Sequence, residues 1–493
     1  MTAGNGSGVP MLDLQGMLPA LTDGDVPRFR QLYQAIRQRI LDGQLPADSR
    51  LPSSRHLASQ LQISRNTVMQ AYEQLLAEGY IRGATGAGTF VNSLASDSLQ
   101  QSSTVLDSKA TLPGLSQRGQ RLSQLGRGGG NSQLILAPGI PELDTFPWTE
   151  WRRLLNQDIR RAPRRLANYG QPQGYLSLRQ ALADYLRESR GVRCDAAQVV
   201  VTSGAQQGIE LVARLCLEPG DRVWVEDPGY IGARGGFIAA DVQLQPMAVD
   251  DEGLIPDAQA AAPRLIYLTP SHQYPTGGTL PLARRLALID LARQWNCWIL
   301  EDDYDSEYRY EGRPLAAMQG LDPSGRVLYI GTLAKVMFPS LRLGYLVLPE
   351  HLVDSFCRYR SLVDYHAPLH TQAAAARFIA SGNLLGHIRK MRQLYAARRD
   401  YLWQRLLPLV GSEQRCRLPE AGMHLCQRLP EVDDSALSQY LMTQGVGCRA
   451  LSAHCLQSPA RGLVMGYAGY REDEIDRGVS IVQQALEQRP WQR

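Results

Sequence analysis

Only three of the chain's 52 basic residues are lysines: Lys109, Lys335 and Lys390. Lys335 stands in VLYIGTLAKVMFPSLRLGYLVLP, between an apolar β-branched run at 327–330 and a second strand-like run at 343–348. A chain that uses arginine almost everywhere for charge keeps a lysine here, among Thr332, Leu333, Ala334, Val336 and Met337. What arginine cannot supply is a nucleophilic amine. An ammonium in apolar surroundings gives up its proton more readily and can condense with an aldehyde as a Schiff base.

Other reactive or polar types fall at the ends of neighbouring predicted strands. After VVVTS, Ser203, Gly204, Ala205 and Gln206 open a helix whose free N–H groups and positive dipole end suit a phosphate. After VWVED, Tyr230 brings an aromatic ring to the same edge. Asp302 closes an apolar strand, where a carboxylate without a cationic partner is costly, and a protonated pyridine nitrogen is such a partner. A phosphate cradle, an aromatic ring, a buried carboxylate and a lysine are the parts needed to hold pyridoxal 5'-phosphate.

The elements that position these groups run from Leu134 onward. Short β-rich runs (VVVTS, RVWVED, RLIYLTP, CWILEDDY, VLYIGT) alternate with helical stretches such as AQQGIELVARLC and LARRLALIDLARQW. That alternation predicts an α/β fold with a mostly parallel sheet, whose ligands lie at the carboxyl ends of the strands.

The N-terminal part reads differently. Residues 1–25 form a tail. From 26 to 92, helical periodicity puts Leu32, Ile36, Ile40 and Leu41 on one face, then Leu57, Ala58 and Leu61, then Val68, Ala71, Tyr72 and Leu75, with serines before the second and third helices as caps. YIRGATGAGTFVN reads as two strands around a Gly-rich turn. Three helices and a hairpin make a winged helix-turn-helix, whose third helix offers Ser64, Arg65, Asn66 and Thr67 to phosphates and base edges. This segment holds eight arginines against four carboxylates, the whole of the chain's net charge of +4. A basic bias confined to one small module points to nucleic acid. Residues 93–130 are Ser-, Gln- and Gly-rich and read as a flexible linker; 131–493 form the second domain.

Composition excludes several other classes. With 44% hydrophobic and 20% charged residues the chain is an ordinary globular protein, not a disordered or fibrous one. The eight cysteines are scattered singly and the eight histidines show no metal-binding spacing, so neither a disulfide framework nor a metal site is expected. No signal peptide and no run of about 18 apolar residues is present, which predicts a cytoplasmic protein without membrane contact.

The segment LPSSRHLASQLQISRNTVMQAYEQLLAEGYIRGATGAGTFV resembles the DNA-binding domain of GntR-type transcription factors. The resemblance implies operator contacts from Arg55, Ser64, Arg65, Asn66, Thr67 and the wing turn with Gly86 and Gly88. From about Leu134 to the end, the order of motifs resembles fold type I aminotransferases. It implies Lys335 as the Schiff-base lysine, Asp302 on the pyridine nitrogen, Tyr304 on the ring oxygen and Tyr230 stacked on the ring. Ala205, Gln206, Thr332 and Arg342 match phosphate-binding positions, and Tyr169 matches a tyrosine lent by the second subunit.

Three departures from the aminotransferase pattern stand out. The usual Asn-Pro-Thr-Gly is Tyr274-Pro275-Thr276-Gly277, the residue before the lysine is Ala334, and Val464 stands where a substrate-carboxylate arginine is expected. The two-part layout, with EDDYDSEYRY and TPSHQYPTGG, resembles MocR- or GabR-type regulators. In that group GABA-binding members carry an arginine where Gly232 stands here.

The resemblance implies a pyridoxal-phosphate-dependent, DNA-binding regulator, a head-to-tail homodimer whose aminotransferase-like domain senses the cofactor or an amino compound. A working aminotransferase tethered to DNA and a vitamin B6 sensor are the alternatives. With both arginines absent, the effector is expected to be the cofactor itself or an amine held by other contacts, unless Arg461 or Arg234 swings in.

Overall fold

The computed structural model describes residues 21, 22, 24, 26–84, 88–93, 114–126, 134–161, 163–312, 315–410, 417–489 and 491. It divides between Gly114 and Leu115 into two compact units.

The first unit contains helices α1 (Arg28–Leu41), α2 (Ser54–Leu61) and α3 (Arg65–Ala77) and strands β1 (Arg50–Leu51), β2 (Ile81–Ala84) and β3 (Gly88–Val91). Leu32, Ile36 and Ile40 of α1 meet Leu57 of α2, Val68, Ala71, Tyr72 and Leu75 of α3, and Ile81 and Val91 of the hairpin. Leu41, roughly 100° of helix rotation beyond Ile40, turns half out, and Tyr33 takes the core place instead. The Ser53 hydroxyl caps α2 by accepting from His56 N at 3.2 Å, and Ser64 caps α3 by accepting from Thr67 N at 3.1 Å. Gln62, at φ 53°, makes the tight turn between them. The sheet has three strands in the order β1-β3-β2, one more than the pattern predicts. Two residues are too few for β1 to show a period.

Within the stretch expected to be a flexible linker, residues Gln117–Leu125 form helix α4, capped by Ser116, whose hydroxyl accepts from Gly119 N at 3.1 Å. It buries no residue fully, which is why no apolar period marks it, and it belongs to the second unit, where it runs against the helix Ile231–Ala239.

The second unit is built on an eight-stranded sheet in the order β4-β11-β10-β9-β8-β5-β6-β7. The strands are β4 (Val199–Thr202), β5 (Arg222–Asp227), β6 (Gln243–Asp250), β7 (Gly253–Leu254), β8 (Leu265–Leu268), β9 (Trp298–Asp303), β10 (Val327–Thr332) and β11 (Gly344–Val347). Neighbours from β6 through β5, β8 and β9 to β10 are parallel, while β11 runs antiparallel to both β10 and β4. Every residue of β4, β8, β10 and β11 is buried, because helices cover both faces of the sheet. Their sequences are therefore continuous apolar runs, not alternating ones.

The helix Ala205–Cys216 lies close over β10. A Cβ on Gly208 would stand 2.5 Å from Ile330 Cδ1, so glycine there allows the approach that brings the helix N-terminus to the end of β10. A second, three-stranded sheet follows, β12 (His424–Arg428), β14 (Gly462–Gly466) and β13 (Arg449–Ala450) in that order, with Arg449 directly opposite Val464.

Candidate functional site

At the carboxyl ends of β4, β5, β8, β9 and β10 lies a cavity of about 240 Å³. Seven of the eight residues expected around the cofactor line it: Ala205, Gln206, Tyr230, Asp302, Tyr304, Thr332 and Arg342, together with Lys335. Tyr169 does not. It is 78% exposed and packs its ring 5.1 Å from Tyr365, outside the cavity of its own chain.

One end of the cavity is the start of the helix Ala205–Cys216. Gly204 precedes it at φ +88°, with no side-chain cap on the first amides, so these N–H groups remain available to a ligand. Arg342 arches over that end: its Nη2 donates to Ser203 O at 3.2 Å, and a Cβ on Gly204 would come within 3.4 Å of its guanidinium. Gln206 contributes its backbone, because its amide side chain donates to Gly232 O at 2.9 Å. Thr332, at the end of β10, holds the turn toward Lys335 by accepting from Ala334 N at 3.2 Å. Four groups around one small space suit an anion such as a phosphate.

Across from that end, the Lys335 Nζ donates to Gly139 O at 2.7 Å. Burial lowers the pKa of this amine to about 8, against the opposing pull of Asp305. A neutral amine is therefore within reach near neutral pH, the condition for nucleophilic attack on a carbonyl.

Three carboxylates cluster at the end of β9, and their partners tell them apart. Asp303 points to the opposite face, where Arg190 Nε at 2.8 Å and the Tyr329 hydroxyl at 2.6 Å bind it. Asp305 is taken by His272 Nδ1 at 3.0 Å. Asp302 accepts from the Tyr267 hydroxyl at 2.7 Å on one oxygen only; its other oxygen, Oδ1, is buried without a partner. Burial, with Asp303 and Asp305 adding to it, pushes its pKa up to about 7. An orphaned buried carboxylate oxygen on a cavity wall fits a ligand that brings an N–H donor, as a protonated pyridine does.

Tyr304 and Tyr230 line the same space. The Tyr304 hydroxyl lies 2.9 Å from His272 Nδ1, the nitrogen that also faces Asp305. A proton on Nδ1 serves both oxygens, and Tyr304 then keeps its own O–H for a ligand. Tyr230 stands edge-on to Tyr274 with ring centroids 5.8 Å apart. Gly232 packs closely on Tyr230 and Gln206: a Cβ there would come within 2.5 Å of the Tyr230 ring and 2.6 Å of Gln206 Oε1 in their present positions.

Several lining residues left no mark in the sequence reading. Gly139 receives the lysine, and a Cβ there would sit 2.9 Å from Nζ. Asp305 and His424 line the cavity too and, with His272 behind them, bring a donor atom each within 4.8 Å of one another, although the histidine spacing predicts no metal site. They come from three different elements, so no spacing rule reveals them. Arg449 also lines the cavity, from a two-residue strand. Arg234 does not: its guanidinium donates to Ala453 O at 2.7 Å and Cys455 O at 3.0 Å. Arg461 is exposed and Val464 is buried in β14, so neither lines the cavity.

In the first unit, Arg55 is exposed in the first turn of α2, Ser64, Arg65 and Asn66 are exposed at the start of α3, and Thr67 is half-buried. The hydroxyls of Ser64 and Thr67 are 2.8 Å apart and partly committed to the cap. Gly88 opens β3 at φ +113°, where Arg50 Nε would meet a Cβ at 3.0 Å, placing an unanticipated arginine against the wing. Gly86 lies outside the described residues. Among the described residues no helix is long and apolar enough to cross a membrane.

Comparison with known proteins matches both units. Residues 29–91 match the family of bacterial regulatory proteins of the gntR family, and residues 132–482 match aminotransferase class I and II. The chain is 40% identical to "Probable rhizopine catabolism regulatory protein MocR" of Rhizobium meliloti, over 95% of this chain and 96% of that one. It is 32% identical to the HTH-type pyridoxine biosynthesis transcriptional regulator PdxR of Corynebacterium glutamicum, over 90% and 93%. The structure of Pyrococcus horikoshii kynurenine aminotransferase superposes with a TM-score of 0.68 at 27% identity, covering 80% of this chain and all of that one. Domain order, coverage and identity together assign the chain to the MocR-type transcriptional regulators, which carry a gntR-family helix-turn-helix and an aminotransferase class I and II domain on one polypeptide.

Proposed function

We propose that the cavity of the larger unit holds pyridoxal 5'-phosphate on Lys335 and that its occupancy sets how the smaller unit binds operator DNA. The observation that carries this reading is the pairing of an orphaned, buried Asp302 oxygen with a half-buried amine of lowered pKa in one cavity. A structural ion pair would have satisfied both groups; a cofactor bringing an N–H donor and an aldehyde does so here. When bound, the cofactor supplies an electrophilic carbonyl and an electron-withdrawing ring.

The chain's own residues do the rest. Asp302 accepts the ring N–H, Tyr230 covers the ring face, and Tyr304 donates to the ring oxygen. The amides of Ala205 and Gln206, the Thr332 hydroxyl and the Arg342 guanidinium hold the phosphate. Tyr169, exposed on its own chain, reaches the site of a partner subunit in a head-to-tail homodimer in the cytoplasm. In the smaller unit Arg65 and Asn66 read base edges, while Arg55, Ser64, Thr67 and the wing around Gly86 and Gly88 fix the register on the backbone. Residues 93–130 join the two units. The function is regulatory sensing of the cofactor or of an amino compound that reaches it.

Selection of binding sites from random DNA by the full chain, followed by titration of the selected site with pyridoxal phosphate alone and then with amines, tests the reading. Operator affinity should change with ligand. A selected site whose affinity ignores both pyridoxal phosphate and every amine would contradict it.

A further inference from the structure

Tyr304 lines the cavity, and His272 stands behind its hydroxyl. Three oxygens surround His272 Nδ1: the Tyr304 hydroxyl at 2.9 Å and the two Asp305 carboxylate oxygens at 3.0 and 3.1 Å. A bare lone pair would be repelled by a carboxylate at that distance, so the ring proton belongs on Nδ1. The other nitrogen agrees. Nε2 is buried with no partner among the described residues, so a proton there would find no acceptor. The Tyr304 oxygen therefore receives a hydrogen bond from behind, and the cavity it lines is where its own O–H can go.

The imidazole is fixed in advance of any ligand. A Cβ on Gly422 would stand 1.9 Å from His272 Cε1, and one on Gly277 would stand 3.4 Å from Nε2, so backbone closes on two edges of the ring. Gly422 is itself held: its N–H donates to Tyr308 O at 2.8 Å, and its carbonyl accepts from the Tyr467 hydroxyl at 2.9 Å. The His424 ring lies 4.9 Å from the His272 ring, centroid to centroid, and its Nε2 donates to Pro275 O at 3.2 Å. Burial keeps the His424 pKa well below the ordinary histidine value, so it brings no charge to its neighbour. Asp305 does, and its side chain is as fully enclosed as that of His272, 1% and 0% exposed.

We propose that His272, seated on Asp305, is a positioning residue that makes the Tyr304 hydroxyl a fixed donor toward the ring oxygen of the cofactor. This rests on the cofactor reading above. Without the imidazole, Asp305 becomes an acceptor that competes with the cofactor for the Tyr304 O–H. A donor at the ring oxygen steadies the negative charge there, so the chromophore holds its proton less tightly. Apart from burial, Asp305 and Asp302 favour a proton at the Lys335 end of the cavity, while Arg449 and Arg342 oppose it. Glu226 and Tyr274 face Tyr304 as well. A substitution at His272 leaves all of these in place, so a change in the pH response of the cofactor band reports the imidazole.

The test is the pH midpoint of the visible cofactor band, followed by absorbance in full-length protein loaded with pyridoxal phosphate. Tyr304→Phe removes the donor and should raise the midpoint by about one to two pH units. His272→Leu should raise it in the same direction, and His272→Ala serves in its place if that protein does not load. His272→Asn, whose amide N–H can stand in for Nδ1–H, should stay closer to the wild type. The double variant Tyr304→Phe/His272→Leu should match Tyr304→Phe alone, because His272 acts through the hydroxyl, whereas a general disturbance of the site would add to the shift. A wild-type midpoint no lower than that of Tyr304→Phe, a His272→Leu midpoint equal to the wild type, or shifts that add in the double variant would each overturn the proposal while the cofactor reading stands. A wild-type protein with no cofactor band overturns both.

Discussion

In the smaller unit the residues expected to work, Arg55, Arg65 and Asn66, stand exposed over an ordinary apolar core. In the larger unit Asp302 is 4% exposed, and the Lys335 amine is held at 2.7 Å by a carbonyl. The difference follows from where each unit's counter-charge comes from. DNA brings a dense anionic surface to groups that wait in water at little cost, so their strength is electrostatic and salt-dependent. A small cofactor brings few charges, and the protein must hold buried groups unsatisfied until it arrives. The first arrangement is stable in itself. The second stores an imbalance that a ligand relieves, which suits a sensor.

Removing the lysine should break the comparison most completely. Lys335→Ala should abolish the visible absorption of bound pyridoxal phosphate, and Lys335→Arg should do the same, because arginine stays protonated and cannot add to a carbonyl. DNA binding by the unliganded protein should persist in both, read by fluorescence anisotropy on a selected site.

Asp302→Ala removes the partner proposed for the pyridinium. Loss of one member of a buried charge pair costs about 3–5 kcal/mol, so equilibrium dialysis should show pyridoxal phosphate affinity reduced on the order of 100-fold or more. An unchanged affinity would show that Asp302 faces something else.

Arg65→Ala should weaken specific DNA binding by about 1–3 kcal/mol and relax preference at one base pair per half-site. If Arg65 touches phosphate alone, all sequences weaken alike and the salt slope falls by about one. The visible spectrum should not move in either case.

Smallest, when taken per pH unit, is the effect on stability. The Asp302 carboxyl titrates at about 7 in the folded cofactor-free protein, above its unfolded value of roughly 3.9. Between these values the native state keeps a proton that the unfolded state has released. Stability therefore falls as pH rises through that window, by no more than about 1.4 kcal/mol per pH unit from this group. Asp302→Asn carries no such proton, so its unfolding free energy, measured in urea from pH 4 to 7, should decline less than that of the wild type.

How far the sequence could be read depends on element length and on how far apart interacting residues lie. Long, periodic or fully apolar segments declared themselves: α3 shows all four of its expected core residues, and β9 and β10 deliver Asp302 and Thr332 to the cavity. Motifs contiguous in the chain, such as the Gly204–Gln206 helix start, carried their position with them. What stayed hidden was assembled across distance. Gly139 meets Lys335 from 196 residues away, and His272 meets Asp305 from another strand end. Strands β1 and β13 have two residues each, too few for any period, so Arg50 and Arg449 gave no sign of facing a wing or a cavity. Helix α4 was hidden because it buries nothing completely.

The scarcity that first drew attention to Lys335 also makes the central claim directly measurable, since Lys109, Lys335 and Lys390 are the only lysines in the sequence. Borohydride reduction of the protein incubated with pyridoxal phosphate, followed by proteolysis and peptide mass measurement, reports which amine holds the cofactor. The account predicts a stoichiometric phosphopyridoxyl mass on the peptide containing Lys335 and none on the other two. Labelling spread over all three lysines, or Lys335 left unmodified, would contradict it.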